Sequence, residues 1–293
     1  MKITDIELVS FDLETTGLDT KKDRIVEFGA TVFNAGEAAS RGHILINPEM
    51  QIAEEARKVH KISNKMVADS KTFSQVASRV IKKFESTPLL VGYNCIRFDA
   101  PMLDSEMERA GLDWRMPMDR ILDVMTWVNW HHRGRRGRRQ EQIGPEEYGL
   151  AFEGGAAHSA AADTQMTGDL LMAMIVKGIV PDDVNEALAW QAEKRPVIEQ
   201  EFNDWGPWLF RDRSTHRIRI GAGKHTGKLI SEVGKNSFGW YLENITDLPE
   251  PARVAFEAAK AGRTQDEIQD SMLAATAAEN KRVEEDDVEG WGG

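Results

Sequence analysis

The stretch Phe11-Asp12-Leu13-Glu14-Thr15-Thr16-Gly17 constrains this chain most. It closes an alternating apolar run that starts at Ile6 and reads as a strand. In a strand, residues i and i+2 project from one face, so Asp12 and Glu14 should point together beside a turn at Gly17. Adjacent carboxylates repel each other. A cation between them removes the repulsion, and hard oxygen donors favour Mg²⁺ or Mn²⁺. A D-x-E pair alone is also what a solvated strand end looks like, so the other acids of the chain must decide.

Residues 25–34 and 41–47 read as two further strands, with a turn near Gly36, and imply an antiparallel three-stranded start. Residues 73–84 place Phe73, Val76, Val80, Ile81 and Phe84 at helical spacing. A short strand, LLVG, follows Pro88, then a helix over 99–110 ended by Gly111. Residues 119–124 form another strand, leading into a helix with Trp127 and Trp130. A long Ala/Met/Leu-rich helix covers 160–178. Strands first, then helices alternating with short strands, predict a mixed α/β sheet. Beyond residue 181 the texture changes to a polar helix, short strands with Gly-rich turns, a helical stretch over 251–278 and an acidic end.

Two further acids lie at helix starts. Asn94-Cys95-Ile96-Arg97-Phe98-Asp99 follows LLVG, and His158-Ser159-Ala160-Ala161-Ala162-Asp163 opens the long helix. Each acid alone suits a helix cap or the helix dipole. Together, DLETTG, NxxxFD and HxAxxD in this order resemble the three motifs of the DEDDh exonuclease family, which includes polymerase III epsilon subunits, oligoribonuclease and exodeoxyribonuclease X. The resemblance covers residues 5–177. IVEFGA (25–30), VHKIS (59–63) and DRILDV (119–124) fit it as well, although Lys61 stands where the family turn has glycine.

The resemblance implies a ribonuclease H-like mixed sheet flanked by helices and a 3′→5′ exonuclease that uses two divalent cations, Mg²⁺ or Mn²⁺. Asp12, Glu14 and Asp163 would hold one ion. Asp12 would bridge to the second, supported by Asp99, and His158 would be the general base. Thr15, Thr16 and Gly17 would lie along the terminal nucleotide, with Leu18 against its base and His60 and Asn94 in the same pocket. DNA, single-stranded or with a frayed 3′ end, is the implied partner, with replication or repair proteins beside it. An RNA 3′-end-processing exonuclease is the alternative within the fold, because the motifs do not read the 2′-hydroxyl. A non-catalytic nucleic-acid-binding or polymerase-tethering module is the alternative from another class.

Net charge is −11, which disfavours general attraction to nucleic acid. Residues 1–180 carry 23 basic against 26 acidic residues, and five acids fall in the last ten positions, so local attraction remains open. His131–Arg139 contains five arginines, of which Arg135, Arg136, Arg138 and Arg139 are candidate phosphate contacts. The single cysteine, Cys95, excludes an intramolecular disulfide. No apolar run reaches a membrane span of roughly 18 residues, and a soluble cytoplasmic protein, near the nucleoid, is expected.

The expected organisation is an exonuclease domain over 1–180, a linker helix over 181–204, a small α+β accessory domain with a helical extension over 205–280, and a disordered acidic tail over 281–293. The small domain resembles the GKHKG-containing C-terminal domain of exodeoxyribonuclease X-like proteins, through Gly223–Lys228. Its Gly223 and Gly227 are expected to serve turns.

Overall fold

Alternation in the first strand decides which residues meet which layer. Strand β1 (Leu8–Thr15) sends Val9, Phe11 and Leu13 into the main apolar cluster, so Ser10, Asp12 and Glu14 take the other face. Its antiparallel neighbour β2 (Ile25–Asn34) repeats the pattern. Phe28, Ala30 and Val32 pack on that cluster, while Gly29 lies opposite Asp12 and Glu27 opposite Glu14. The computed structural model describes residues 1–135, 138–151 and 159–289, with side chains to Arg282.

Strand β3 (Glu37–Leu45) pairs antiparallel with the outer side of β2. Strands β4 (Leu89–Gly92) and β5 (Ile121–Asp123) run parallel to β1 and to each other. The order β3-β2-β1-β4-β5 is the mixed sheet expected from the sequence. Helices α1 (Glu54–His60) and α2 (Asn64–Val67) follow β3, then α3 (Phe73–Glu85) and α4 (Asp99–Arg109). Those last two cover the apolar face, where Val76, Val80, Phe84, Leu103 and Met107 join Phe11. The Phe11 and Phe84 rings lie 5.1 Å apart.

Helix α4 is tied to the start of β2 by a buried charge pair. Glu106 is 1% exposed and accepts from Arg24 Nε at 2.6 Å and Nη2 at 3.1 Å. This two-pronged geometry is the strong form of an Arg–carboxylate bond. The order of the chain continues with α5 (Val124–His131), α6 (Gln140–Tyr148), α7 (Ala160–Val176) and α8 (Val184–Trp205).

Helix α7 covers the acidic face of the sheet, and two glycines set its distance. A Cβ on Gly29 would lie 2.5 Å from the Ala160 carbonyl carbon, and one on Gly168 would lie 2.1 Å from the Phe33 ring. Between them the hydroxyls of Thr31 and Thr164 share a 2.8 Å hydrogen bond. The start of the helix therefore rests almost on the backbone of β2 at Gly29, and its middle on the Phe33 ring.

The chain forms two compact units, one of Met1–Trp127 with Arg139–Glu193, the other of Val128–Arg138 with the chain from Lys194 onward. The second unit holds the antiparallel pair β6 (Leu209–Arg211) and β7 (Ile218–Ile220), with α9 (Asn236–Asn244), α10 (Glu250–Lys260) and α11 (Gln265–Glu289). Its core joins Trp205, Ile218, Ile220, Phe238, Tyr241, Phe256, Ile268 and Met272. The helical stretch read over 251–278 is in fact two helices. Gly262, at φ +80°, reverses the chain between them, a conformation that glycine adopts without strain. Gly223 and Gly227 also have positive φ and serve turns, as expected. No helix among the described residues is long and apolar enough to cross a membrane.

Gly168→Ala tests the close approach of α7. Alanine should favour the helix by about 1 kcal/mol, yet crowding a packed site costs about 1–3 kcal/mol. The expected result is a lower melting temperature. A higher one would show that Phe33 yields freely.

Candidate functional site

Strand β4 ends early, and the site occupies the gap. β1 pairs with β4 only from Leu8 to Ser10, so Phe11 to Thr15 keep β2 on one side and have no strand on the other among the described residues. Backbone groups there need other partners. The Leu13 N–H donates to Asp99 Oδ1 at 3.1 Å. The Thr15 carbonyl meets His60 Nε2 at 3.2 Å, and the Ile62 N–H donates to His60 Nδ1 at 3.0 Å, which assigns the proton to Nε2. The Thr16 carbonyl accepts from the Ala53 N–H at 3.3 Å.

Asp12 and Glu14 project from this overhang, and the first turn of α7 brings Asp163 to them. One carboxylate oxygen from each lies within 4.8 Å of the others. Burial pushes the Asp12 carboxyl well above its ordinary value, with Asp99, Glu14 and Asp163 adding repulsion. Burial, then Asp163, Glu27 and Asp99, raise Glu14 to about 8. Three oxygens converging at such cost fit a divalent cation, which would relieve both repulsion and lost hydration. Asp99 stands behind this group. It is 4% exposed, and burial followed by Asp123 raises it to about 7.

The turn that delivers Asp99 depends on Asn94 of the motif and on Gly92, Asp123 and Gln191, which the motif reading did not assign to the site. A Cβ on Gly92 would lie 2.4 Å from Cys95 Cβ, and Asn94 has φ +64°. The Asp123 carboxylate gathers the N–H groups of Asn94 at 2.8 Å, Met125 at 3.0 Å and Ile96 at 3.2 Å. Gln191 on α8 closes the end of β5, accepting from the Asp123 N–H at 2.7 Å and donating to the Ile121 carbonyl at 2.8 Å. Asp123 could have been noticed as an acid ending a strand. Gln191, 68 positions away, carries no such signal.

Glu27 is a second unanticipated group. One of its oxygens bonds His43 Nδ1, and the other accepts from the Ala160 N–H at 3.1 Å. Glu27 therefore caps the start of α7 and fixes the height at which Asp163 enters.

The loop after β1 is built around Asp23. Thr16 Oγ1 donates to Asp23 Oδ1 at 2.8 Å, the Asp19 N–H to Oδ2 at 2.8 Å, and a Cβ on Gly17 would strike that carboxylate at 2.5 Å. Thr15 Oγ1 turns back to the Gly17 carbonyl at 2.6 Å. The hydroxyls of Thr15 and Thr16 are thus spent on the turn, which leaves Leu18 86% exposed at its tip. His60 and Asn94 act on backbone, His60 on β1 and Asn94 as the left-handed residue of its turn. Lys61 takes φ +63° as the C-cap of α1, the conformation for which the family's glycine is suited.

Of the arginine run, Arg135 and Arg138 belong to the second unit and Arg139 to the first. Arg138 Nη1 donates to the Arg133 carbonyl at 2.6 Å, and Arg139 lies 3.7 Å from Glu141. His158 and Arg136 lie outside the described residues.

The family model described as Exonuclease (RNase_T) matches residues 9–171. DNA polymerase III PolC-type of Lacticaseibacillus paracasei is 30% identical over 169 residues, 57% of this chain and 11% of that protein. DNA polymerase III subunit epsilon of Treponema pallidum is 28% identical over 173 residues, 58% of this chain and 77% of that protein. The 3′-5′ exonuclease DinG of Bacillus subtilis is 28% identical over 170 residues, 58% of this chain and 18% of that protein. The chain thus spans about a tenth of its PolC-type relative. Among solved structures, the zinc-bound E. coli ExoI–ssDNA complex aligns with a TM-score of 0.56 at 14% identity, covering 93% of this chain and 71% of that one. At that identity the likeness concerns the fold.

The raised Glu14 carboxyl gives the stability of the metal-free protein a pH dependence with a definite sign. A folded value of about 8 against an ordinary 4.5 means that the folded state holds the proton more tightly. That stabilisation is complete below pH 4.5 and is lost as pH rises through 8. In EDTA, the melting temperature should fall between pH 6 and 8.5, and Glu14→Gln should flatten the fall. Saturating Mn²⁺ should raise the melting temperature more at pH 8 than at pH 6, since protons and cation compete for the same oxygens. A gain that is absent, or larger at pH 6, refutes the metal assignment.

Proposed function

Because the chain belongs to the DEDDh-type exonuclease family, we propose that it removes nucleoside 5′-monophosphates from 3′ ends of DNA, single-stranded or frayed. The observation that carries this reading is the convergence of Asp12, Glu14 and Asp163 on one point at the end of β1. In this reading those three side chains would hold one Mg²⁺ or Mn²⁺, and Asp12 with Asp99 would help to hold a second. When bound, the cations supply Lewis-acid stabilisation of the charge on the scissile phosphodiester.

The chain's own groups do the rest. His158 takes the proton of the attacking water. Leu18, exposed on a loop stiffened by Asp23, packs against the terminal base and favours an unpaired end. Thr15, Thr16 and Gly17 shape that loop, while His60 and Asn94 hold the two backbones that carry the acids. Arg135, Arg136, Arg138 and Arg139 meet phosphates farther along the strand. A cytoplasmic setting beside replication or repair proteins accompanies this reading, supported by the polymerase III relatives.

Digestion of matched 5′-labelled single-stranded DNA, duplex DNA and RNA tests the proposal. Ladders shortening from the 3′ end are expected with Mg²⁺ or Mn²⁺, fastest on single-stranded DNA, and none with EDTA or in Asp163→Ala. Faster loss of RNA would move the reading to RNA. Strand binding without cleavage would turn it to a tethering module.

His158→Ala should lower the rate by about 10²–10⁴, the range for a general base, and remove the acidic limb of the pH profile. Survival of that limb would assign the base elsewhere.

A further inference from the structure

The second unit contains an open pocket of about 560 Å³, lined by residues of the 130–134 segment and of the β6–β7 hairpin. Arg133 lines it and is only 7% exposed. A guanidinium buried to that degree ordinarily sits against a carboxylate. Here the nearby carboxylates are already engaged. Glu201 accepts from both Nη1 and Nη2 of Arg213, at 2.6 and 3.1 Å. Asp212 accepts from Arg219 Nε at 2.6 Å and from Ser214 Oγ at 2.7 Å. No carboxylate among the described residues forms an ion pair with Arg133 or Arg211. Arg211 Nε is itself buried without a hydrogen-bond partner.

Four arginines therefore face one pocket with two carboxylates between them. Burial lowers Arg133 to about 10, Glu201 partly offsets this, and Arg138 and Arg213 add repulsion. The frame around it is rigid. The Arg213 guanidinium lies 4.0 Å from the Trp130 ring centroid, and Arg219 Nη1 donates to the Gly227 carbonyl at 2.9 Å. Arg213 and Arg219 are held, while Arg133 and Arg211 keep donors unspent.

We propose that this pocket is a phosphate-binding site, separate from the carboxylate cluster, in which Arg133 and Arg211 grip a phosphodiester of the nucleic-acid strand. A phosphate presents oxygens in the geometry of the guanidinium fork and supplies the negative charge that the pocket lacks. Its volume suits a group of nucleotide size. The choice of a strand as the source rests on the exonuclease reading; the phosphate chemistry does not. On a chain of net charge −11, attraction for a polyanion must be local, and this pocket concentrates it.

The test is binding of a 5′-fluorescein-labelled oligothymidylate to the full chain in EDTA, followed by anisotropy from 50 to 300 mM salt. With hydrolysis off, failure of the nuclease reading leaves this experiment interpretable. Arg133→Met and Arg211→Met should each raise the Kd about tenfold near physiological salt. The slope of log affinity against log salt should shrink by about 0.7 for each phosphate no longer neutralised. Arg133→Met should also melt no lower than the parent, because it removes an unpaired buried charge. If it fails to fold, Arg133→Lys, which keeps the charge and loses the fork, should weaken the strand by a smaller factor.

Calorimetry with inorganic phosphate, against acetate at equal ionic strength, separates the sources. Phosphate heat abolished by Arg133→Met, with strand affinity also reduced, supports the strand. Phosphate heat abolished with strand affinity unchanged supports the phosphate site and assigns it a free phosphate or monoester. Unchanged strand affinity with no phosphate heat, or acetate bound as tightly as phosphate, overturns the proposal.

Discussion

The structure turns on a strand that outruns its neighbour. β1 continues to Thr15 after β4 has stopped pairing at Ser10, and a backbone edge so exposed must find partners or remain wet. Asp99 and His60 supply them. Each group drawn in to satisfy β1 also brings its own segment to the same place. The carboxylate cluster is in that sense a by-product of backbone accounting. The edge needs donors and acceptors, and the residues that provide them carry the helix with Asp99 and the turn before Ile62.

The other half of the cluster is set by a distance. Asp163 reaches Asp12 and Glu14 because α7 comes close to β2, with Gly29 against the Ala160 backbone and Gly168 against the Phe33 ring. Glu27 fixes the helix end from beneath. Carboxyls crowded in this way are held at a cost in repulsion and lost hydration, so the fold has committed stability to an arrangement that a cation would relieve.

Much of this was legible in the sequence because it is local. Period-two alternation placed Asp12 and Glu14 on one face, and short-range spacing marked the helix starts at Asp99 and Ala160. What escaped was long-range or reciprocal. Gln191 completes the end of β5 from a distant helix, and Glu106 anchors Arg24 across 82 positions. Neither residue has a neighbour in sequence that betrays the role. Glu27 was visible inside IVEFGA, but its bonds to His43 and to Ala160 depend on the sheet and α7 both being in place. The reversal at Gly262 was missed because one glycine in an alanine-rich helix weakens it without forcing a break, and the tertiary core decided the matter.

Splitting the site between a strand and a helix start has a consequence for its exchange behaviour. Asp12 and Glu14 belong to β1, where they pair with Gly29 and Glu27 of β2, and their amides should exchange with solvent hydrogen only when the sheet opens. Asp163 belongs to the first turn of α7, and helix ends open at far lower free energy. The cluster therefore straddles two cooperative units. Its strand half and its helix half are expected to open at different free energies. A cation bridging both would slow exchange at Ala162–Thr164 while leaving β1 untouched, so ligation at this site is written in the kinetics of a few helical amides.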